Sequence, residues 1–594
     1  WLLDDGGTDQ KCSDSNPEKA QAARDRRASL QALCAQLGAR YQTRARNLHA
    51  KAGNMNSALA DAKGEIVVVF DADHAPFRSF LRETVGHFAR DPKCFLVQTP
   101  HVFLNPDPIE KNLRTFHEMP SENEMFYAVT QCGLDKWNGS FFCGSAALLR
   151  RSALNTVGGF SGITITEDCE TALDLHSQGW TSVFVEKPLI AGLQPETFAS
   201  FIGQRSRWCQ GMFQILILKN PAFKKGLRLI QRIAYLSSMT YWFFALPRLI
   251  FMLSPLTYIL LDIKIFVSNL DEALAYTSTY IVVNLLMQNY LYGSVRWPLM
   301  SELYEYLQGV FLAKAIVAVA ANPRKPTFNV TAKGLTLDND HLSELAWPFF
   351  AIYGLLLAGC GVAAWRYHNE PEIAELMLVV GLWNGFNMLV AGAGLGAVAE
   401  RRQPDRHPRI AIAREGVLCV GTAEVPVAVV NVSAGGCGVV FKGPLAEELV
   451  AGATQALLRI KPLGVHVGDA DVLPLVFRHA TPNAKEVVHG FEFADMTPRQ
   501  YFVLADLMYA DSEAMPRFLT SRRRHKNVLA GMARFMWWGL VEPLRAVAYA
   551  FKRAPAASDS ASEPAPVTPP TAWLHRLAAL GRTPSAASQT SKAA

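Results

Sequence analysis

Between residues 224 and 400 the sequence carries six apolar blocks, near 231–253, 254–268, 273–293, 303–321, 347–365 and 374–398. A helix needs about 20 apolar residues to cross a hydrocarbon core. Several blocks are long enough, so the middle of the chain predicts a membrane bundle and the lipid bilayer becomes its first partner. The block at 303–321 has Glu302, Glu305 and Lys314 at its edge and interior, and it reads as an amphipathic helix lying at the interface. The block at 254–268, which holds Asp262 and Lys264, reads as half of a short hairpin or as a re-entrant piece.

Basic residues orient this bundle. Lys224, Lys225, Arg228 and Arg232 precede the first block, Arg324, Lys325 and Lys333 lie in the loop 322–346, and Arg401 and Arg402 follow the last block. Cytoplasmic loops carry the excess of Lys and Arg, so all three places are expected on the cytoplasmic side. Two or four crossings then precede the loop, and two follow it.

The remaining texture is soluble. The chain has 594 residues, of which 50% are apolar and 19% charged; that is too long for one domain and too apolar for an ordinary soluble chain. A net charge of +6 argues for no nucleic-acid polymer as a partner. Ten cysteines without a CxxC pair argue against a zinc site or a disulfide framework and fit a reducing cytosol.

Up to about residue 215, short apolar runs such as Ile66–Phe70, Cys94–Val97 and Ser182–Val185 alternate with helical stretches, the pattern of an α/β domain with buried parallel strands. Trp1-Leu2-Leu3-Asp4-Asp5 reads as the end of such a strand running into an acidic turn, so the sequence is expected to open inside its own domain. Beyond the bundle, alternation at 409–413, 425–430, 438–441, 456–460 and 487–493 predicts six or so short strands closing into a small barrel. A basic amphipathic stretch at 517–552, with Arg522–Lys526 and then Phe535, Trp537, Trp538 and Leu540, is expected to rest on a membrane or on the protein itself. From 554 on, Ala, Pro and Ser predict disorder, apart from a short helix at 571–582. The fold class is therefore α/β plus a membrane α-helical bundle plus a small β-barrel. Its expected parts are 1–222, 223–400, 401–510, 511–553 and 554–594.

Three motifs carry chemistry. Asp71 and Asp73 follow a buried strand two residues apart, hard oxygen ligands suited to Mg²⁺ or Mn²⁺ bridging a diphosphate. Thr166-Glu167-Asp168 opens an apolar helix; its acidic residues are either a helix cap or a general base for an attacking hydroxyl. Gln204, Arg207 and Trp208 share one side of a helix. Arg offers planar donors to a diphosphate and Trp a flat face to a sugar ring, although a snorkelling interfacial helix has the same composition.

In this order, and followed by membrane spans, Asp-Asp-Gly, Asp-x-Asp, Thr-Glu-Asp and Gln-x-x-Arg-Trp resemble the processive family 2 glycosyltransferases. The run Phe328-Asn-Val330-Thr331-Ala-Lys333-Gly resembles the gating loop of bacterial cellulose synthase catalytic subunits. Arg402-x-x-x-Arg406 and Asn431-x-Ser433-x-x-Gly436 resemble the signatures of a PilZ domain, with Asn431 where Asp is frequent.

The resemblance implies a GT-A-type domain at 1–222 and a UDP-forming, inverting enzyme. It would polymerise glucose from UDP-glucose into a β-1,4-glucan and pass the chain across a bacterial inner membrane, with catalytic and PilZ domains in the cytoplasm. It implies that Asp4, Asp5 and Lys51 contact the UDP moiety, that Asp71 and Asp73 hold Mg²⁺ or Mn²⁺, and that Asp168, beside Glu167, is the base. Gln204, Arg207 and Trp208 would bind the donor diphosphate and the acceptor end, and the segment from Phe141 to Gly144, including Cys143, would line the acceptor entrance. Phe328, Val330, Thr331 and Lys333 would close over the donor. Arg402, Arg406, Asn431, Ser433 and Gly436 would bind cyclic di-GMP as an allosteric activator, and a periplasmic membrane-anchored subunit would guide the glucan outward. The competing readings are a synthase of chitin, hyaluronan or another glucan, and a non-catalytic cyclic di-GMP receptor on the same scaffold. Tyr241–Phe244, Tyr290, Tyr292, Trp297, Trp383, Asn384, Phe386 and Asn387 are suited to a glucan path, or to helix packing.

Overall fold

The computed structural model describes residues 1–265, 270–324, 337–403, 407–442, 455–464, 472–482, 486–523 and 527–551. Phe328, Val330, Thr331, Lys333, Arg406 and the tail from 554 lie outside them. In the α/β part the three apolar runs are strands Ile66–Val69, Cys94–Gln98 and Thr181–Phe184, and a fourth strand, Ala147–Arg150, lies between the first two. It runs antiparallel to both neighbours, so the sheet is mixed where the sequence predicts a parallel one. Ala147, Leu148 and Leu149 are fully buried, whereas Val68 on the edge strand is 38% exposed. Leu2–Leu3 pairs in parallel with Tyr41–Gln42 as a separate two-stranded sheet.

Among the described residues, four helices are long and apolar enough to cross a membrane: Leu229–Leu261, Met300–Ala321, Trp347–Asn369 and Pro371–Val398. The two blocks expected at 231–253 and 254–268 are one continuous helical rod ending at Asp262, whose left-handed backbone (φ 55°) stops it. Among the described residues up to Leu261 the chain neither turns back nor re-enters, and Pro255 and the apolar residues around it pack inside the bundle. The helix Met300–Ala321, expected at the interface, is the most buried of the four. Its charge Glu305 pairs with Arg248 at 2.5 Å, so that position is answered by protein.

The barrel closes with six strands in the order Ile410–Val420, Ala423–Val432, Gly436–Phe441, Val487–Phe493, Val472–Pro482 and Gln455–Ile460. The strand 472–482 escaped the sequence reading; its buried residues are confined to its first half, and its second half is exposed. Leu418, Val429, Cys437, Val439, Leu458 and Leu473 fill the interior with no exposure. Phe77 of the α/β part joins the same apolar cluster as the helix Pro498–Tyr509, and Arg78 N donates to Tyr509 O at 3.1 Å.

The amphipathic stretch forms two helices, Ala514–Arg522 and Val528–Ala550. The second lies against the last membrane helix so closely that a Cβ on Gly392 would stand 2.2 Å from Gly539 O, while Trp537, Leu540 and Leu544 face outward. Arg522 is buried (2% exposed) against Glu110, and Arg523 pairs with Glu124.

A polar knot ties these parts together. Glu400, at the end of the last membrane helix, accepts from Phe198 N at 2.6 Å and from Lys111 Nζ at 2.8 Å. Asn112 Nδ2 donates to Ala397 O at 2.6 Å, and Arg401 N donates to Asn112 Oδ1 at 3.0 Å.

Candidate active site

The strand Ile66–Val69 delivers Asp71, Asp73 and the buried His74, whose ligand atoms all lie within 4.8 Å of one another. His74, directly after the second aspartate, was missed by the sequence reading although the adjacency is visible there. Lys51 Nζ pairs with Asp71 and donates to Gly144 O at 2.7 Å. Burial pushes the Asp71 carboxyl up, but the Lys51 ammonium and the His74 and His101 imidazoles hold it at about 2.

Gly144 is the meeting point. With φ +85° it brings its backbone so close that a Cβ would stand 3.0 Å from Asp168 Oδ2 and 3.5 Å from Lys51 Nζ, which places the second motif against the first. Asp168 lies in the first turn of the helix Glu167–Ser177, where its Oδ1 accepts from Cys169 N at 2.8 Å. Burial, and then the neighbouring Glu167 carboxylate, raise it to about 7, within the range of a base that works near neutrality.

The helix Phe198–Leu218 carries the third motif with Gln204, Arg207 and Trp208 all half-buried. It crosses the Thr-Glu-Asp segment in contact, since a Cβ on Gly211 would stand 2.4 Å from Thr166 Cγ2. The carboxylates of Glu167 and Asp71 act electrostatically on Arg207, whose own burial pulls its proton affinity down. Arg205, which the spacing argument passed over, stacks on Trp208 at 4.7 Å and pairs with Glu122 at 2.7 Å. Gln214, also passed over, accepts from Ile165 N at 3.0 Å and donates to Pro323 O at 2.6 Å. It therefore links the Thr-Glu-Asp segment to the chain that enters the loop.

Asp4 and Asp5 are spent within their own neighbourhood. Asp4, 3% exposed, accepts from Tyr41 Oη at 2.9 Å and Arg26 Nε at 3.1 Å; Asp5 pairs with Arg44 at 2.8 Å. Cys143 N donates to Gln98 Oε1 at 2.9 Å, and its half-buried thiol accepts from Gln131. Phe142 is fully buried against Phe160, so it belongs to the core and not to an entrance. Asn384 and Asn387 are likewise buried and donate to backbone carbonyls of neighbouring helices. Trp297 is buried beneath Arg534. Tyr241 and Phe243 stay exposed in a 3₁₀ turn within the first rod.

The hinge of the barrel is built from a different set. Arg402 is exposed, with its backbone N donating to Asp340 Oδ1 at 2.9 Å. Ala399–Glu400 pairs antiparallel with His341–Leu342, and Gln403 exchanges two hydrogen bonds with Leu337. Asn431 Oδ1 accepts from Arg409 Nη1 at 3.0 Å, and Ser433 N donates to Gly436 O at 2.8 Å. A Cβ at Gly436 would stand 2.2 Å from Phe491 O, so only glycine fits there.

Residues 66–294 match the glycosyl transferase family group 2. Over 390 residues the chain is 40% identical to cellulose synthase 2 of Novacetimonas hansenii, covering 65% of this chain and 24% of that one. It is 38% identical over 387 residues to the cellulose synthase catalytic subunit [UDP-forming] of Pseudomonas fluorescens (strain SBW25), covering 65% of this chain and 52% of that one. The chain thus spans between about a quarter and about half of these relatives. The mannosyltransferase PcManGT from Pyrobaculum calidifontis in complex with GDP-Man and Mn²⁺ aligns with 53% of this chain and 76% of itself, at 16% identity and a TM-score of 0.31.

Proposed function

We propose that this chain is the catalytic part of a UDP-forming cellulose synthase, which polymerises glucose from UDP-glucose into β-1,4-glucan and passes it through the membrane. The observation that carries this reading is the convergence at Gly144 of Asp168, raised to about 7, with Lys51 and Asp71. Asp168 is able to take a proton, Lys51 to hold a diphosphate, and Asp71 to hold a divalent cation beside it.

In this reading Asp168 takes the proton of the acceptor's 4-hydroxyl as that oxygen attacks C1 of UDP-α-glucose, inverting it. Lys51 and Arg207 face the leaving diphosphate, and Trp208, held by Arg205, gives the acceptor ring a flat face. Two carboxylates and an imidazole within 4.8 Å fit Mg²⁺, and Mn²⁺ better still because of the nitrogen donor. Asp71, Asp73 and His74 would hold the ion, which supplies charge neutralisation for the departing UDP.

Polar groups continue inward from Trp208. Glu122 links Arg205 to Gln308, the latter at 3.1 Å, and Glu305 on the same helix pairs with Arg248. Such a row offers a polyhydroxyl chain hydrogen-bonding partners inside an apolar bundle. With the basic loops cytoplasmic, the catalytic domain and barrel face the cytoplasm of a bacterial inner membrane, and a periplasmic membrane-anchored subunit receives the glucan. Cyclic di-GMP binds at Arg402, Arg406, Asn431, Ser433 and Gly436 and activates. Its binding moves a strand already paired with the exit of the loop at Leu337, so that Phe328, Val330, Thr331 and Lys333 close over the donor.

The test is incorporation of label from UDP-glucose, against UDP-N-acetylglucosamine, by the purified chain with Mg²⁺ and cyclic di-GMP. Cellulase-digestible product from UDP-glucose is expected. Cellulase-resistant product, or preference for the N-acetyl donor, overturns the assignment.

A further inference from the structure

Behind the two aspartates lies a residue that no motif includes. Ser145 is fully buried in the turn before the strand Ala147–Arg150, between two residues with left-handed backbone, Gly144 (φ +85°) and Ala146 (φ +53°). For alanine that conformation is unfavourable, and a turn that keeps it is held by its surroundings. Ser145 O accepts from Gln98 Nε2 at 2.8 Å and from His101 Nε2 at 2.9 Å. Because a carbonyl only accepts, His101 carries its hydrogen on Nε2. The Ser145 hydroxyl points the other way. Its Oγ lies 2.8 Å from the Asp71 backbone N and 2.7 Å from His74 Nδ1.

We propose that Ser145 is a positioning residue of the divalent-metal site, its single hydroxyl oxygen setting both the backbone at Asp71 and the ring orientation and tautomer of His74. A hydroxyl oxygen has two lone pairs. One takes the Asp71 N–H, and the second takes Nδ1–H of His74. With the hydrogen held on Nδ1, the lone pair of the imidazole is on Nε2, the nitrogen a metal can use. Gly192 keeps that edge of the ring accommodated: a Cβ there would stand 2.7 Å from His74 Nε2 and 2.3 Å from Cδ2. His101, packed edge-on against His74 at 4.9 Å, closes the other side. The backbone turn thus holds the serine, the serine holds the histidine, and the metal meets a ring already turned.

The inference rests on the metal site proposed above, and the experiment separates the two. Mn²⁺ binding to the full chain in nanodiscs, with UDP present, is followed by the loss of the free-ion signal in electron paramagnetic resonance. Wild type is expected to bind; if it does not, the metal site itself is wrong. Ser145→Ala is expected to weaken Mn²⁺ about ten- to a hundred-fold, the usual effect of removing an outer-shell partner of a ligand, and saturating Mn²⁺ should restore most of kcat. His74→Ala should weaken binding too, and adding Ser145→Ala to it should cost clearly less than Ser145→Ala costs alone, since only the part of the serine's effect that runs through the Asp71 backbone is left. Wild-type Mn²⁺ affinity in Ser145→Ala, or losses that simply add in the double variant, would overturn the role. If alanine at 145 prevents folding, Ser145→Cys, with a weaker acceptor of similar size, is read in the same way with a smaller loss.

Discussion

At the scale of single residues, the decisive contrast is between carboxylates that are spent and carboxylates that are poised. Asp4 and Asp5 are tied to Tyr41, Arg26 and Arg44, whereas Asp168 accepts from backbone N–H groups, that of Cys169 among them, and is raised to about 7 by burial and by Glu167. A base must be deprotonated to act, so kcat/KM should rise as pH climbs toward about 7. Glu167→Gln removes the neighbouring negative charge that raises Asp168. The acidic limb of the pH profile should then move to lower pH; an unmoved limb would assign the titration to another group. Asp168→Asn should lower turnover by about 10²–10⁴-fold while UDP binding, read by calorimetry, persists. Arg205→Ala should raise the acceptor requirement by freeing Trp208, measured with soluble cello-oligosaccharide acceptors.

At the scale of elements, the C-terminal helices are held by charge as well as by apolar packing. Arg522 and Glu110 are both buried, with Arg522 also over the Phe116 ring at 4.4 Å. Replacing Arg522 by Ala leaves a carboxyl without its cation in the interior, a loss of about 3–5 kcal/mol. The thermal unfolding midpoint of the purified chain should fall clearly. Replacing both members by leucine should recover much of that loss, and a double variant as unstable as the single one would show that the pair is not what the helix depends on. In the barrel, Gly436→Ala places a Cβ against Phe491 O, so cyclic di-GMP binding should be lost with the local turn, measured by calorimetry.

At the scale of the whole molecule, two short strands join the barrel to the rest of the chain. The strand after the last membrane helix pairs with residues 341–342 and meets Leu337, the first described residue after the loop. Its Glu400 also accepts from Phe198 N, at the start of the helix that carries Trp208. Changing Arg402 and Arg406 to Ala should bring the ratio of stimulated to unstimulated synthesis to about one. A ratio like that of the wild type would place the switch elsewhere.

Much of this was legible before any coordinates, and the physical reason differs from part to part. Apolar length and basic flanks are properties of the chain against a fixed membrane thickness, so the bundle could be placed from residues alone; alternation likewise marked five of the six barrel strands. The chemical types at 71, 73, 168, 204, 207 and 208 are the basis of the proposed chemistry, because carboxylates, guanidinium and indole have few substitutes in such roles. What depends on distance across the fold was not legible. The antiparallel strand 147–150, the fusion of two apolar blocks into one rod, the burial of Phe142 and Arg522, and the grip of Ser145 on Asp71 and His74 are decided by neighbours 70 or more positions away or by packing on all sides. Local sequence determines which groups exist and how each short segment prefers to run; only tertiary structure decides which of those groups share one low-dielectric space, and therefore which carboxylate is neutralised and which is left ready to take a proton.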